Sequence, residues 1–170
     1  MNRDIIIKIM RQLIEAQQRL LALLQQKQSM NREKLYSTIM AFLNQDVTPT
    51  DVIPDEYACA ETANAIHVKA FGFPIGGRAS SYLLYQALLV SPYFTKMDEP
   101  DKGDIIISPT GTRTRKSPIP NGHVGFVIEN NQIAANNSQN GKFQITYTID
   151  SWRERYEVKG GYPVYFFRRI

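Results

Sequence analysis

Cysteine, histidine and long apolar runs are all scarce in this chain of 170 residues, and each scarcity excludes something. One cysteine, Cys59, rules out an internal disulfide framework. With only His67 and His123 beside it, a zinc site of thiolate and imidazole ligands is poorly supplied, and neither a metal nor another cofactor is expected. The apolar stretch Leu20 to Leu24 runs five residues before Gln25 breaks it, far below the roughly 18 that a membrane span needs. A secretory leader needs an unbroken apolar centre, whereas Asp4, Lys8 and Arg11 interrupt the start, so synthesis and folding in a cytoplasm are expected. Basic residues exceed acidic ones by a net charge of +4. The one tight basic cluster, Arg113, Arg115 and Lys116, has no interleaved aromatics, so nucleic acid is not expected as a partner.

What the chain does have is helical periodicity first and strand alternation second. Ile6, Ile9, Leu13, Ala16, Leu20 and Leu23 recur at alternating steps of three and four, which predicts an amphipathic helix over residues 3 to 27. Met10, Ile14, Leu21 and Leu24 widen its stripe beyond a two-stranded seam, so the face has to bury against something. Its polar face carries more glutamine than lysine or arginine, which favours self-association or docking over contact with anionic lipid. Ser29 and Asn31 precede a second periodic run, predicting a separate helix over 32 to 44. A proline-bearing linker, residues 46 to 55, leads to Asp55 as the cap of a third helix with Cys59, Ala63, Ile66 and Ala70 on one face. Ser80 or Ser81 opens a fourth, with Leu84, Ala87 and Leu88 on its core side.

Beyond Pro92 the pattern reads as strands at 104–108, 123–129, 132–138, 142–148 and 164–168, an antiparallel meander. Residues 109 to 122 lack periodicity and read as an exposed loop. Helices followed by strands predict an α+β fold, with residues 1–28 as a helical appendage and 29–170 as one domain.

A cysteine at a helix start sits where unpaired amides favour a thiolate, but acyl transfer by that thiolate also needs a base that can protonate the leaving group. His67 follows Cys59 by eight residues on the same helix, roughly 12 Å along its axis, which excludes a direct hydrogen bond and suits a partly buried core residue. His123 instead opens a strand after Asn121-Gly122, at a sheet rim that a helix start can meet. A two-residue turn at Asn130-Asn131 pairs Gly125 with Asn136 and puts Asn136 diagonal to His123 on one face. An odd-length loop inverts the parity and promotes Asn137. Glu61 and Asp55 read as first-turn carboxylates or as contacts for a substrate amine, and the Tyr57 hydroxyl, with the Cys59 amide, as an oxyanion donor.

Three segments, Asp55-Glu56-Tyr57-Ala58-Cys59-Ala60-Glu61, Lys102-Gly103-Asp104-Ile105-Ile106-Ile107 and Gly122-His123-Val124-Gly125-Phe126-Val127, resemble the successive signatures of NlpC-type papain-like cysteine peptidases. The segments Asn136-Asn137-Ser138 and Tyr147 to Trp152 extend that resemblance toward the phage and prophage peptidoglycan hydrolases, endolysin-like members of the group. The resemblance covers about residues 35 to 170 and implies a permuted papain-like core that cleaves an amide bond of cell-wall peptides without a cofactor. It implies Cys59 as nucleophile, His123 as base and Asn136 as the orienting residue, a position where the family most often has histidine. Absence of a leader then suits action at the bacterial wall after release by a separate partner, or from a virion. Two alternatives remain: a non-catalytic wall-binding or structural virion protein on the same scaffold, and a lipid acyl hydrolase or transferase on a related scaffold whose first helix touches membrane.

Overall fold

In the structure, a computed structural model, residues 3–48, 54, 57–78 and 80–170 are described. Helix α1 (Arg3–Ala41) is a single rod of 39 residues, about 58 Å long at the α-helical rise. It replaces the two helices expected at 3 to 27 and 32 to 44. Ser29 and Asn31 are good caps, but with neither Gly nor Pro between the two runs nothing breaks the ladder, and Asn31 donates from its side chain to the Ile170 carbonyl at 3.1 Å. Residues 4 to 30 are exposed along their whole length, while Leu35 and Ile39 are fully buried in the core. The linker at 46 to 55 and the expected cap Asp55 fall mostly outside the described residues.

Helix α2 (Cys59–Phe71) buries the face formed by Cys59, Ala63, Ile66 and Ala70, and Gly72 ends it in the left-handed conformation, φ 85°. Helix α3 (Ser81–Val90) starts where Ser80 accepts from the Leu83 amide, and it buries Leu84 and Leu88.

Six strands follow: β1 (Phe94–Met97), β2 (Ile105–Ser108), β3 (His123–Val127), β4 (Gln132–Asn136), β5 (Phe143–Thr148) and β6 (Tyr165–Arg169). They form one sheet in the order β1-β6-β2-β3-β4-β5, each neighbour pair antiparallel. Strands β2 to β5 form a meander as expected, but the strand expected at 164–168 does not continue it: β6 returns across the sheet to lie between β1 and β2, and β1 is an edge strand that the alternation did not announce. A short helix α4 (Ile149–Trp152) runs into a π-helical segment, Arg153–Lys159, where the sequence reading had assigned no element.

The sheet has two buried faces. Ile105, Ile107, Val124, Phe126, Ala134, Phe143 and Phe167 meet α1, α2 and α3 on one side. Ile106, Val127, Ile133, Ala135 and Phe166 meet Trp152, Tyr156 and Tyr162 on the other. The period of two along each strand produces that division, and it makes the fold α+β with helical cover on both faces of an antiparallel sheet. Asp104, 1% exposed, clamps the sheet at one end: Arg168 donates to both its oxygens, at 3.0 Å from Nε and 2.7 Å from a terminal nitrogen. The Gly-Asp pair at 103 and 104 therefore serves as a structural joint between β2 and β6.

A candidate active site at the rim of β3

The approach to His123 is made by Gly122. A Cβ at that position would lie 1.9 Å from the Ser108 carbonyl oxygen, so only glycine lets the chain cross β2 there. The Gly122 amide donates to Thr110 Oγ1 at 3.0 Å, and Thr110 Oγ1 lies 2.9 Å from Ser81 Oγ at the start of α3. His123, at the first position of β3 opposite Ser108, is thereby pinned at the sheet rim.

Strand alternation sends the His123 side chain to the face of Val127. There its ring stacks on Trp152 (centroids 5.3 Å apart, planes 20° apart) and on Tyr156 (5.9 Å, 26°), with Tyr147 edge-on at 6.3 Å. Trp152 is fully buried and donates from Nε1 to Ser108 Oγ at 3.0 Å, so the platform is tied to the residue paired with the histidine. Burial, helped by the Arg155 guanidinium, pushes the His123 imidazole down to about 4; the Asn136 backbone carbonyl opposes this by accepting from the ring.

The β3–β4 register differs from the two-residue-turn reading. Glu129–Asn131 form a one-turn connection with Asn130 and Asn131 both at φ 57°, three residues rather than two. Gly125 consequently faces Ala135 instead of Asn136. The parity inverts, and the Asn136 side chain takes the face of Ala134 and of α2, where it is 2% exposed. The Asn136 group that meets the imidazole is the backbone carbonyl. Asn137 has the parity of His123, but its amide donates to Gln144 Oε1 at 3.0 Å and its carbonyl oxygen accepts from the Gln139 amide at 2.9 Å, so it is occupied in the turn. Ser138 is exposed nearby.

Cys59 is the first residue of α2 and 9% exposed. Its sulphur is approached by the amides of Val124, Ala60 and Cys59 itself, yet desolvation outweighs them and burial pushes the thiol up to about 11. Thiol and imidazole thus arrive at consecutive residues of β3, the thiol at Val124 from the helical face and the ring at His123 from the other. No hydrogen bond joins them among the described residues, and at neutral pH each is uncharged.

A cleft of about 580 Å³ opens at this rim, lined by Tyr57, Asn121, His123, Asn136, Tyr147 and Arg155 among others. Tyr57, two residues before the cysteine and half exposed, is on its wall, as an oxyanion donor has to be. Glu61 is engaged elsewhere, accepting from Arg78 Nε at 3.0 Å in an ion pair. His67 is fully buried and donates from Nδ1 to the Phe73 carbonyl at 2.7 Å, within a ring cluster of Phe71, Phe73 and Phe94. It is a core residue distant in role from the cleft. Sequence reasoning missed Tyr147, Arg155 and Tyr156 as cleft residues, because they come from β5 and from an irregular π-helical segment whose periodicity is neither 2 nor 3.6. No protein-family model and no curated protein matches the chain.

Proposed function

We propose that the protein is a cysteine hydrolase that cleaves an amide bond of bacterial cell-wall peptides, as a peptidoglycan endopeptidase or amidase of the NlpC-type papain-like kind. The observation that carries this reading is the arrival at consecutive residues of β3 of the chain's single thiol and an imidazole whose ring is held by a backbone carbonyl, with the imidazole on the wall of the cleft. In the proposed reaction the substrate enters between Tyr57 and His123. Cys59 gives its proton to the imidazole as its sulphur bonds to the amide carbon. The C–N bond then breaks, and the imidazolium returns that proton to the departing amine. Water, deprotonated by the same ring, attacks the thioester and frees the acid and the thiol. The Asn136 carbonyl keeps one ring nitrogen protonated and leaves the other as the base, the tautomer-holding role otherwise supplied by a carboxylate or amide side chain. Unliganded sites commonly hold such partners apart and close the contact with substrate.

Synthesis in the cytoplasm followed by release, or carriage on a virion, belongs to the same proposal, as does self-association through the exposed apolar stripe of α1. Among the described residues no helix is long and apolar enough to cross a membrane.

A second reading, a non-catalytic wall-binding or structural protein on this scaffold, is favoured by one specific feature: the thiol and imidazole are both held neutral and are not hydrogen-bonded to each other. Release of soluble amines and loss of turbidity from purified peptidoglycan separate the two. The hydrolase reading expects both signals from the wild type and neither from folded Cys59→Ala and His123→Ala variants. Binding to the wall without amine release, in wild type and variants alike, supports the second reading.

A further inference from the structure

The same cleft contains a charge that the hydrolytic steps leave unused. Arg155 lies on its wall and is exposed, and its position follows from the π-helical segment that carries it. The acidic residues on either side of it are already taken: Glu157 pairs with Arg153 at 3.0 Å and Glu154 with Lys159 at 3.2 Å. No ion pair engages Arg155 among the described residues, and no described residue of the cleft lining is acidic. Its guanidinium is steered instead by aromatics. It stands 5.5 Å from the Tyr156 ring centroid and reaches the phenols of Tyr147 and Tyr156, whose oxygens are 3.5 Å apart. A planar fork of donors next to two hydroxyls, with no acidic side chain among the described lining residues, is matched by a carboxylate, which accepts from the guanidinium in parallel and from a phenol at its flank.

We propose that Arg155, with Tyr147 and Tyr156, forms a carboxylate-binding subsite, so that the preferred substrate is a peptide carrying a free carboxylate close to the bond presented to His123. This rests on the cleft being the substrate site proposed above and adds what the substrate must carry. The subsite also couples to the base. Because the Arg155 charge disfavours a proton on His123, a bound carboxylate that offsets it makes the imidazole a better proton acceptor once substrate is in place. A substrate with that carboxylate therefore binds more tightly and meets a more basic ring.

The test uses the full chain and a pair of probes, an N-acetylated dipeptide with a free C-terminal carboxylate and the same dipeptide as its carboxamide. Binding is followed by calorimetry at low ionic strength, and the His123 ring is titrated by NMR with each probe present. The carboxylate is expected to bind about tenfold more tightly than the carboxamide, the factor expected of a charge-assisted hydrogen bond. It is also expected to raise the His123 titration midpoint, as the carboxamide does not. In Arg155→Gln the two probes should bind equally, and in Arg155→Lys part of the preference should survive, since the charge remains while the fork is lost. Equal binding by the wild type, or a carboxylate preference that persists in Arg155→Gln, overturns the subsite. Neither readout needs turnover: carboxylate preference in a protein that releases no amine from peptidoglycan sustains the subsite and rejects the hydrolase, while amine release without preference does the reverse.

Discussion

At the thiol and the imidazole, desolvation is the largest influence on protonation and moves both groups toward the neutral form, Cys59 up to about 11 and His123 down to about 4. The signs are opposite in pKa and the same in charge. A preformed thiolate–imidazolium pair is therefore absent at neutral pH, and attack has to be coupled to proton transfer. Two consequences can be measured. Alkylation of Cys59 by iodoacetamide should be slow at pH 7 and keep accelerating through pH 10, because the thiolate fraction rises up to about 11. In kcat/KM the acidic limb should fall near pH 4, where the free imidazole takes a proton and ceases to be a base, with no loss between pH 7 and 9. Alkylation already at its maximum by pH 7, with activity falling above pH 8, indicates a preformed ion pair and contradicts this description.

At the level of elements, the histidine is aimed by a crossing rather than by its own strand. Gly122→Ala would set a Cβ against the Ser108 carbonyl, and the overpacking should cost about 2 kcal/mol, read as a lower Tm together with weaker probe binding in the cleft. An unchanged Tm contradicts the close approach. Much of this architecture was legible from residues alone: the shared face of Cys59, Ala63, Ile66 and Ala70, a helix opened by Ser80 or Ser81, and strands β2 to β6 all follow from periodicity and turn chemistry. Three features were not. Asn130-Asn131 fits a two-residue hairpin turn as well as the longer connection that forms, because asparagine tolerates positive φ in either, and that single residue decides which face Asn136 takes. Strand β1 is an edge strand with only Phe94 buried, too short to declare an alternation. Trp152, Tyr156 and Arg155 lie on a helical stretch whose signal, an Asp-Ser-Trp after a Thr cap, is one turn long. Cys59 and His123 were legible as a candidate nucleophile and base at spaced positions, whereas their arrival from opposite faces of the sheet depends on tertiary packing.

At the scale of the whole molecule, α1 carries a long exposed apolar stripe. Ile6, Ile9, Leu13, Leu20 and Leu23 are all exposed on a helix whose residues 4 to 30 are exposed and belong to neither core cluster, and an apolar stripe of that length is stable in water only when covered. Association of α1 with a second copy should make the sedimentation coefficient rise with concentration, and Leu13→Glu combined with Leu20→Glu should return a monomer with an intact fold. A wild-type monomer at all concentrations contradicts it. An oligomer of this kind would place several clefts on one wall surface, where simultaneous engagement raises avidity without new contacts. Hydrolysis at each cleft remains the central claim, and the chain's single cysteine gives it a direct test, since any thiol-specific reagent modifies Cys59 and no other residue. The measurement is amine release from purified peptidoglycan as a function of the fraction of Cys59 blocked by methyl methanethiosulfonate, with that fraction read by intact-protein mass. The account predicts activity falling in proportion to the blocked fraction, reaching zero at one modification per chain and returning on reduction; undiminished amine release from fully blocked protein would contradict it.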